Sequence, residues 1–300
     1  MIESIAQYLS EDSEVNYQKD DILACPISYF TEGMRANNYF FGHPEWGQAY
    51  FEAAHRSEIF KARWQRATGS WDNKIVVDIG CGPGNVYATV GGSPRLLIGV
   101  DVSQGALKMA QQIGYVPLLA DAHSLPLIDS FADLVIANAT IHHCDDMARV
   151  LAEAARLVRP GGFLVTDLDP QASAWQLKGL GLWLRQLKWQ PLYRLVTGRL
   201  HTTSEARARL ATEIHNTHPG DGVTPEMYHE VLEPIGFTVQ LFPHNQFTGA
   251  GVLDGDRGRA PARVRLCQRL SGINPDSVEA AQSVMCVARR STVALPAVLD

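Results

Sequence analysis

Residues 76–86 read VVDIGCGPGNV, and this stretch decides the class of fold. A β-branched run leads into Asp78, and three glycines follow it, Gly80, Gly82 and Gly84. Glycine allows a sharp turn and lets a ligand contact bare backbone. A helix that begins just after such a loop presents unpaired N–H groups. The stretch therefore predicts a strand, a ligand-binding loop and a helix in succession.

Apolar runs continue this pattern along the chain. Further strands are predicted at residues 95–101, 115–121, 131–138, 161–169, 236–242 and 283–290. The central runs are nearly continuous in apolar residues, as is typical of strands buried on both faces of a parallel sheet. Between these runs, apolar residues recur at helical spacing. This pattern predicts one helix capped by Ser103 and a second that is capped by Asp145 and ends at residues 160–162. The alternation predicts an α/β fold with a doubly wound sheet.

The segments outside this alternating core are predicted to be helical lids. Residues 1–72 are rich in aromatic side chains, which either pack against the sheet or cover a substrate. Residues 170–233 are too long for a simple crossover and carry three tryptophans. We therefore predict an N-terminal lid over 1–72, an α/β core over 73–169 and 234–300, and a helical insertion over 170–233 that caps the substrate.

Polar side chains stand at the ends of four predicted strands: Asp78, Asp101, Asp121 and Asn138. The carboxyl ends of parallel strands meet at the edge of an open α/β sheet where such folds bind ligands. Asp101 would accept hydrogen bonds from two ribose hydroxyls, and Asp121 one from an exocyclic amine. Asn85 stands where a dinucleotide-binding loop has its last glycine, and Asp78 would repel a pyrophosphate but suit a cationic ligand.

Five stretches together resemble the class I S-adenosylmethionine-dependent methyltransferases: VVDIGCGPG (76–84), GVDVS (99–103), ADAHSLP (120–126), FADLVIANATIHHCDD (131–146) and RLVRPGGFLVTD (156–167). The HH-x-DD stretch at 142–146 and the LVRPGG stretch at 157–162 are most similar to the ubiquinone- and menaquinone-biosynthesis-type and related small-molecule enzymes. The resemblance implies a Rossmann-like methyltransferase fold whose mostly parallel sheet has seven strands, the last of them antiparallel.

The resemblance also implies where S-adenosyl-L-methionine binds. The methionine moiety would lie against the loop from Asp78 to Gly84, the ribose on Asp101, and the adenine beside Asp121 and Ala122. The predicted cofactor-binding residues are Asp78, Gly80, Cys81, Gly82, Gly84, Asp101, Val102, Asp121, Ala122 and Asn138. Cys81 is interpreted as a small residue with a backbone contact, not as a nucleophile.

Methyl transfer from a sulfonium is an in-line displacement, so the protein mainly aligns acceptor, methyl group and sulfur. A base is needed only when the acceptor must lose a proton. His142 and His143, just past the fourth predicted strand, are the predicted catalytic residues. The alternative is that neither is catalytic, so that one of them orders the loop and the other packs against neighbouring side chains. His215, His218 and His244 are secondary candidates for the same role.

The sequence predicts no metal site. Its five cysteines lie far apart, and none is at zinc-ligand spacing. Asp167 and Asp169, at the end of the fifth predicted strand, are interpreted as loop residues instead of metal ligands.

The charge pattern favours a small-molecule acceptor. The net charge is −6, so the chain as a whole does not resemble a polyanion binder. Five arginines lie within residues 257–269, where they form either a solvated helix face or a site for an anionic substrate group or an RNA backbone. No apolar run approaches the roughly 20 residues that span a bilayer. The N-terminus does not resemble a signal peptide, and we therefore expect a reducing cytoplasm.

The sequence thus predicts an enzyme that methylates a small or lipid-like metabolite. Three other functions stay open. The acceptor could be RNA or protein on the same fold, or the chain could be a non-catalytic regulator that binds the cofactor. A nicotinamide dehydrogenase on a related fold is the third, and Asp78 and Asn85 speak against it.

Overall fold

The computed structural model describes residues 5–11, 13–17, 21–186, 203–213, 215, 218–245 and 247–292. Its strands are β1 (Asn16–Tyr17), β2 (Leu23–Ala24), β3 (Ile75–Ile79), β4 (Leu96–Asp101), β5 (Val116–Leu119), β6 (Ala132–Asn138), β7 (Val158–Pro170), β8 (Phe237–His244) and β9 (Ser283–Arg290). Its α-helices are α1 (Glu32–Phe41), α2 (Pro44–Ala54), α3 (Glu58–Thr68), α4 (Asn85–Val90), α5 (Gln104–Gln112), α6 (Met147–Leu157), α7 (Gly179–Gln186), α8 (Ser204–Thr212), α9 (Pro225–Leu232) and α10 (Ala262–Leu270).

All the described strands belong to one sheet in the order β1-β2-β5-β4-β3-β6-β7-β9-β8. The pairs from β2 through β7 are parallel, whereas β9 runs antiparallel to both β7 and β8. The seven strands β3 to β9 are those predicted from the sequence, and the last one is antiparallel as expected. The doubly wound, mostly parallel sheet is therefore confirmed.

The sheet also contains two short strands that the sequence did not indicate. Leu23 and Ala24 pair in parallel with Leu118 and Leu119, and the backbone N–H of Cys25 donates to the Leu119 carbonyl at 2.9 Å. These strands lie in the segment that was predicted to be a helical lid. Part of the N-terminal segment instead covers the edge of β5, which would otherwise leave its backbone groups unpaired.

Alternation of side chains along β3 divides the core into two layers. Ile75, Val77 and Ile79 belong to one buried cluster, and Val76 belongs to the other, because successive residues of a strand face opposite sides. Helices α6 and α9 pack on the first face, whereas α3, α4 and α5 contribute to the second. Burial on both faces explains why the strand sequences are nearly continuous in apolar residues.

The start of α5 agrees with its prediction, whereas both ends of α6 differ slightly from theirs. The Ser103 hydroxyl accepts the N–H of Ala106 at 3.3 Å and caps α5 as predicted. Helix α6, however, is capped by Asp146 and not by Asp145, because the Asp146 carboxylate reaches the N–H of Arg149 at 3.0 Å. Residues 160–162 do not separate the helix from the strand, since β7 begins directly at the end of α6.

Candidate active site

The glycine loop after β3 forms a tight turn that only small residues allow. Gly80 and Gly84 have φ values of 65° and 88°, which L side chains rarely adopt. A side chain at Gly84 would also come within 2.8 Å of the Tyr115 ring. The N–H groups of Gly80 and Cys81 donate to the Val100 carbonyl at 2.8 and 3.0 Å. The loop is thereby tied to the neighbouring strand β4.

Asp78 is buried at the floor of the site and is only partly hydrogen-bonded. Its Oδ2 accepts the Tyr115 hydroxyl at 2.7 Å, while its Oδ1 has no hydrogen-bond partner among the described residues. Burial raises the pKa of Asp78 to about 7; the Tyr115 hydrogen bond opposes that rise, and the nearby Asp101 adds to it. An ionised Asp78 is therefore under-solvated, which favours a cationic partner in the cavity.

Asp101 holds the glycine loop and the next helix in place. Its Oδ2 accepts the N–H of Gly82 at 2.9 Å, and its Oδ1 accepts the N–H of Ser103 at 2.8 Å. Burial raises its pKa to about 6 although these backbone hydrogen bonds act in the opposite direction. Each carboxylate oxygen has more than one acceptor position, so Asp101 can still bind hydroxyl groups of a ligand.

Asp121 is less buried than Asp78 and Asp101, and its carboxylate contacts the ring of a histidine. Its Oδ1 accepts the N–H of His123 at 2.9 Å and lies 2.6 Å from the ring Nδ1 of the same residue. Burial acts to raise the pKa of Asp121, but the hydrogen bonds and the charge of His123 outweigh it, and the pKa is lowered overall. Asp121 is therefore ionised at neutral pH.

One cavity brings together nearly all the predicted cofactor-binding residues. Its lining includes Asp78, Gly80, Cys81, Gly82, Asp101, Val102, Asp121, Ala122 and Asn138. Gly84 is not part of the lining, because it stands at the N-cap of α4 and permits the turn. Burial raises the pKa of the Cys81 thiol well above its usual range, so the thiol stays protonated.

The N-terminal segment adds residues to this cavity that sequence reasoning missed. These residues are Met34, Asn37, Phe41, Tyr50 and His55. The one available signal was the aromatic content of residues 1–72, and it does not distinguish site residues from core residues. Phe60 and Trp64 are buried in the core, as the packing alternative predicted.

Asn138 and His55 form a contact at the wall of the cavity. The Asn138 amide nitrogen lies 2.9 Å from His55 Nε2, and the Asn138 Oδ1 is buried without a hydrogen-bond partner in the described structure. Burial lowers the pKa of His55 to about 4, so its ring is neutral and Nε2 can accept this hydrogen bond. The unpaired oxygens of Asp78 and Asn138 thus both belong to residues that line one cavity. Such an arrangement suits a ligand that donates hydrogen bonds.

A second cavity, of about 740 Å³, adjoins the first. The two cavities share four lining residues, Phe41, Tyr50, Ala139 and His143. The backbone of Ala139 has a φ of 51°, an uncommon value for a residue with a side chain. A volume of this size fits the range of small-molecule binding sites. Two ligands could therefore meet at the shared residues.

His142 and His143 both line the second cavity, and each ring is fixed through Nδ1. The Nδ1 of His142 lies 2.7 Å from Asp169 Oδ1, and the Nδ1 of His143 lies 2.8 Å from the Thr212 carbonyl. A carbonyl can only accept, so the His143 Nδ1 carries the proton. Burial, and then the neighbouring His142, hold the pKa of His143 well below its usual range, and its ring is neutral.

Asp167 and Asp169 are not solvated loop residues, which corrects the interpretation from the sequence. Both are fully buried in β7. Asp167 lies 2.9 Å from Arg63 Nε and 2.7 Å from His244 Nε2, and these contacts keep its pKa below the usual range although burial acts to raise it. Leu168 between them has a φ of 61° at an irregularity in the β7–β9 pairing.

None of the other candidate histidines is among the residues that the two cavities share. His244 is fully buried against Asp167 and lines neither cavity. His215 Nε2 lies 3.2 Å from Asp145, and His218 is an exposed residue of the second cavity beside Asp221.

Among the described residues, His142, His143 and Glu213 are the one group with metal-ligand types close together. Their ligand atoms lie within 4.8 Å of one another, and His142 Nε2 is 4.0 Å from Glu213 Oε2. Ligands of a tetrahedral zinc ion, each about 2.1 Å from the metal, would be about 3.4 Å apart. The group is wider than such a site and would have to contract to hold an ion.

The arginine run near the C-terminus makes contacts within the protein. Arg265 pairs with Asp276 at 2.8 Å, Arg257 donates to the backbone carbonyl of Asp276, and Arg263 donates to the carbonyl of Leu184. These arginines tie α10 to α7 and to the following loop. They are neither a wholly solvated face nor part of either cavity described above.

Comparison with known proteins identifies the family to which the centre of the chain is similar. The family model described as a methyltransferase domain matches residues 77–166. The malonyl-[acyl-carrier protein] O-methyltransferase of Hamiltonella defensa is 29% identical over 157 residues, which is 50% of this chain and 61% of that protein. The ubiquinone biosynthesis O-methyltransferase of Thiobacillus denitrificans is 29% identical over 139 residues, covering 44% and 60%.

A third relative shares a shorter stretch. The phthiotriol/phenolphthiotriol dimycocerosates methyltransferase 1 of Mycobacterium ulcerans is 34% identical over 123 residues, covering 38% of this chain and 45% of that protein. The chain thus matches less than two thirds of the length of each of these relatives. A solved complex between a Haloferax volcanii methyltransferase and its activator has a chain with a similar fold, with a TM-score of 0.50 and 14% identity over 85% of this chain and 97% of that one.

None of the helices described in the structure has the length and apolar content needed to cross a membrane.

Proposed function

We propose that this chain, which belongs to the class I S-adenosylmethionine-dependent methyltransferases, transfers a methyl group from that cofactor to a small or lipid-like acceptor. The observation that carries the proposal is the pair of adjoining cavities. One is lined by the glycine loop and the acids at the strand ends, and the other is larger and partly apolar. They meet at Phe41, Tyr50, Ala139 and His143.

The lining of the first cavity fits the charges of the cofactor. The unpaired oxygens of Asp78 and Asn138 would accept hydrogen bonds from the ammonium group of its methionine moiety. Asp101 would bind the ribose hydroxyls, and Val102, Asp121 and Ala122 would surround the adenine. S-Adenosylmethionine, when bound, supplies a methyl group on a positively charged sulfur, which needs no further activation by the protein.

His142 is the residue proposed to take a proton from the acceptor. Its Nδ1 faces the Asp169 carboxylate, which favours the tautomer with the proton on Nδ1 and leaves Nε2 as a base. His143 lines both cavities, and we propose that its neutral ring positions the acceptor beside the methyl group.

Two segments are proposed to cover the acceptor. Phe41 and Tyr50 of the N-terminal segment line the larger cavity, as do Leu182 and Arg209 from the insertion between β7 and β8. The names of the relatives support a lipid-like acceptor, since they include methyltransferases of malonyl-acyl carrier protein and phthiotriol lipids. We also propose a reducing compartment such as the cytoplasm, because all five cysteines are free thiols.

Transfer of label tests the proposal. The purified protein is incubated with S-adenosylmethionine tritiated on the methyl group and with a cell extract, which is then divided into organic-soluble, RNA and protein fractions. We expect label in the organic-soluble fraction, and less of it with the His142→Ala variant.

Other outcomes would support the alternatives. Label in RNA or protein would show the acceptor to be a macromolecule. Binding of the cofactor without any transfer would favour a regulatory protein. Thermal stabilisation by NAD and not by S-adenosylmethionine would indicate a dehydrogenase.

A further inference from the structure

Two arginines in the larger cavity have no acidic partner. Arg185 of α7 and Arg209 of α8 both line it, and neither forms an ion pair with any described residue. The contacts that the structure gives their guanidinium groups are with aromatic rings. A cation that faces a cavity without a carboxylate partner is costly when it is desolvated. Such a group therefore points to an anion that enters with the ligand.

Arg185 is positioned by the ring of Trp175, which is itself held by a hydrogen bond. Its guanidinium lies 4.1 Å from the centre of the Trp175 ring, and Trp175 Nε1 donates to the Gln282 carbonyl at 3.2 Å. Burial lowers the pKa of Arg185 from its usual value, although the charge of Glu213 acts to raise it. The guanidinium is thus partly desolvated and pre-positioned, as is typical of arginines that bind carboxylate or phosphate groups.

Arg209 also contacts an aromatic side chain of the cavity lining. Its guanidinium is 5.6 Å from the centre of the Tyr50 ring, and Tyr50 is one of the residues shared by the two cavities. A group bound by Arg209 would therefore lie near the junction where methyl transfer is proposed. Arg209 is exposed at the mouth of the cavity, so a ligand can reach it from solvent.

The remaining charges of this cavity are largely balanced. Arg56 pairs with Glu52 at 2.6 Å, and Asp221 lies 3.5 Å from His218. Glu213 is the one further acid of the lining; its Oε2 lies 4.0 Å from His142 Nε2, and its charge acts on Arg185. The lining contains three arginines and two acids, so its arginines outnumber its acids. Much of its remaining surface is apolar, through Phe40, Phe41, Phe60, Leu168, Leu177 and Leu182.

We propose that the methyl acceptor is an amphiphile whose anionic group, a carboxylate or a phosphate, is bound by Arg185 and Arg209 while its apolar body packs against the wall of the larger cavity. The proposal rests on the proposed function, since it assigns the larger cavity to the acceptor. It adds the chemical class of that acceptor and two residues that determine specificity.

Binding of simple amphiphiles tests this assignment without requiring turnover. Isothermal titration calorimetry compares dodecanoate, dodecyl phosphate and neutral dodecan-1-ol, each with and without S-adenosylhomocysteine. The variants are Arg185→Gln and Arg209→Gln, which keep a polar side chain but remove the charge. Arg185→Lys keeps the charge, and Arg56→Gln is the matched control because Arg56 lines the same cavity but is already paired with Glu52.

The expected results separate charge from simple apolar binding. At least one anionic probe should bind about 10- to 100-fold more tightly than the alcohol, which is the usual contribution of one charge-assisted hydrogen bond. Arg185→Gln or Arg209→Gln should remove most of that difference, whereas Arg185→Lys should restore part of it and Arg56→Gln should leave it unchanged. The tighter of the two anions identifies the headgroup.

Two results would overturn the assignment. One is failure of both anionic probes to bind; the other is equal affinity for the anions and the alcohol in the wild-type protein. Loss of anion preference in Arg56→Gln to the same extent would also contradict it, because the effect would then be non-specific. Arginine-dependent binding in a protein that transfers no methyl group would refute the proposed function and leave the anion site in place.

Discussion

Removal of the charge on Asp78 should stabilise the protein and weaken cofactor binding at the same time. The Asp78→Asn substitution keeps an oxygen that can accept the Tyr115 hydroxyl, which donates to Asp78 at 2.7 Å. The pKa of Asp78 is raised from 3.8 to about 7 in the folded protein. The native state therefore binds this proton more tightly than the unfolded state, and the stability that it contributes is lost as the pH rises from about 4 to about 7.

The magnitude follows from the shift in pKa. Each unit of difference corresponds to about 1.4 kcal/mol, so ionised Asp78 costs the folded state about 4 kcal/mol above pH 7. At about pH 5.5 the native carboxyl is mostly protonated, and the same calculation gives a cost of about 2 kcal/mol. We expect Asp78→Asn to raise the free energy of unfolding at about pH 8, by up to about 4 kcal/mol, and its advantage to shrink by about half at pH 5.5.

Urea unfolding at the two pH values measures this effect. Asp121→Asn serves as a matched control from the same cavity, because the pKa of Asp121 is lowered and its ionised form does not destabilise the native state. Calorimetry with S-adenosylmethionine should show that Asp78→Asn loses about 10- to 100-fold in affinity, since a charged hydrogen-bond acceptor is removed. The reasoning would be refuted if Asp78→Asn were less stable than the wild type at pH 8, or if its effect were the same at both pH values.

Three further predictions concern the cofactor and the acceptor side of the site. Asp101→Ala should weaken cofactor binding by on the order of 2–4 kcal/mol, and unchanged affinity in calorimetry would contradict the ribose assignment. His142→Ala and His143→Ala should slow methyl transfer but leave the affinity for the cofactor unchanged. Asp169→Asn should lower kcat and change the pH dependence of kcat. Normal turnover in all three variants would mean that transfer needs no base here. Dialysis against a chelator should leave transfer unchanged, and a loss that zinc restores would instead assign a metal to His142, His143 and Glu213.

The strands of the sheet, and the acids at the ends of these strands, could be predicted from the sequence. Alternation of apolar runs with helical spacing is a local property, and it is sufficient to indicate strands such as β3 and β4. Asp78 and Asp101 each end a parallel strand, so the topology alone brings them to one edge of the sheet. Glycine preferences act on single residues, which is why the residue types around Gly80 are sufficient to predict the turn there.

The arrangement of side chains around the larger cavity was decided by tertiary packing. Asp169 and His142 are 27 residues apart, and their hydrogen bond depends on the path of the loop after β6 relative to the end of β7. A pattern of residue types contains no signal for that relation, so Asp169 was misinterpreted as a loop residue. The same holds for His55, whose neighbour Asn138 is 83 residues away.

The sequence by itself therefore determined the sheet and the cofactor loop, because strand periodicity, turn preference and the common edge of parallel strands are encoded locally. Only the tertiary structure decided which side chains of the N-terminal segment and of the insertion face the larger cavity. Contacts such as those of Arg185 with Trp175 and Arg209 with Tyr50 form between separate helices and loops. Their positions result from how these elements pack on the sheet, and packing depends on shape complementarity over the whole core, which no single stretch of sequence specifies.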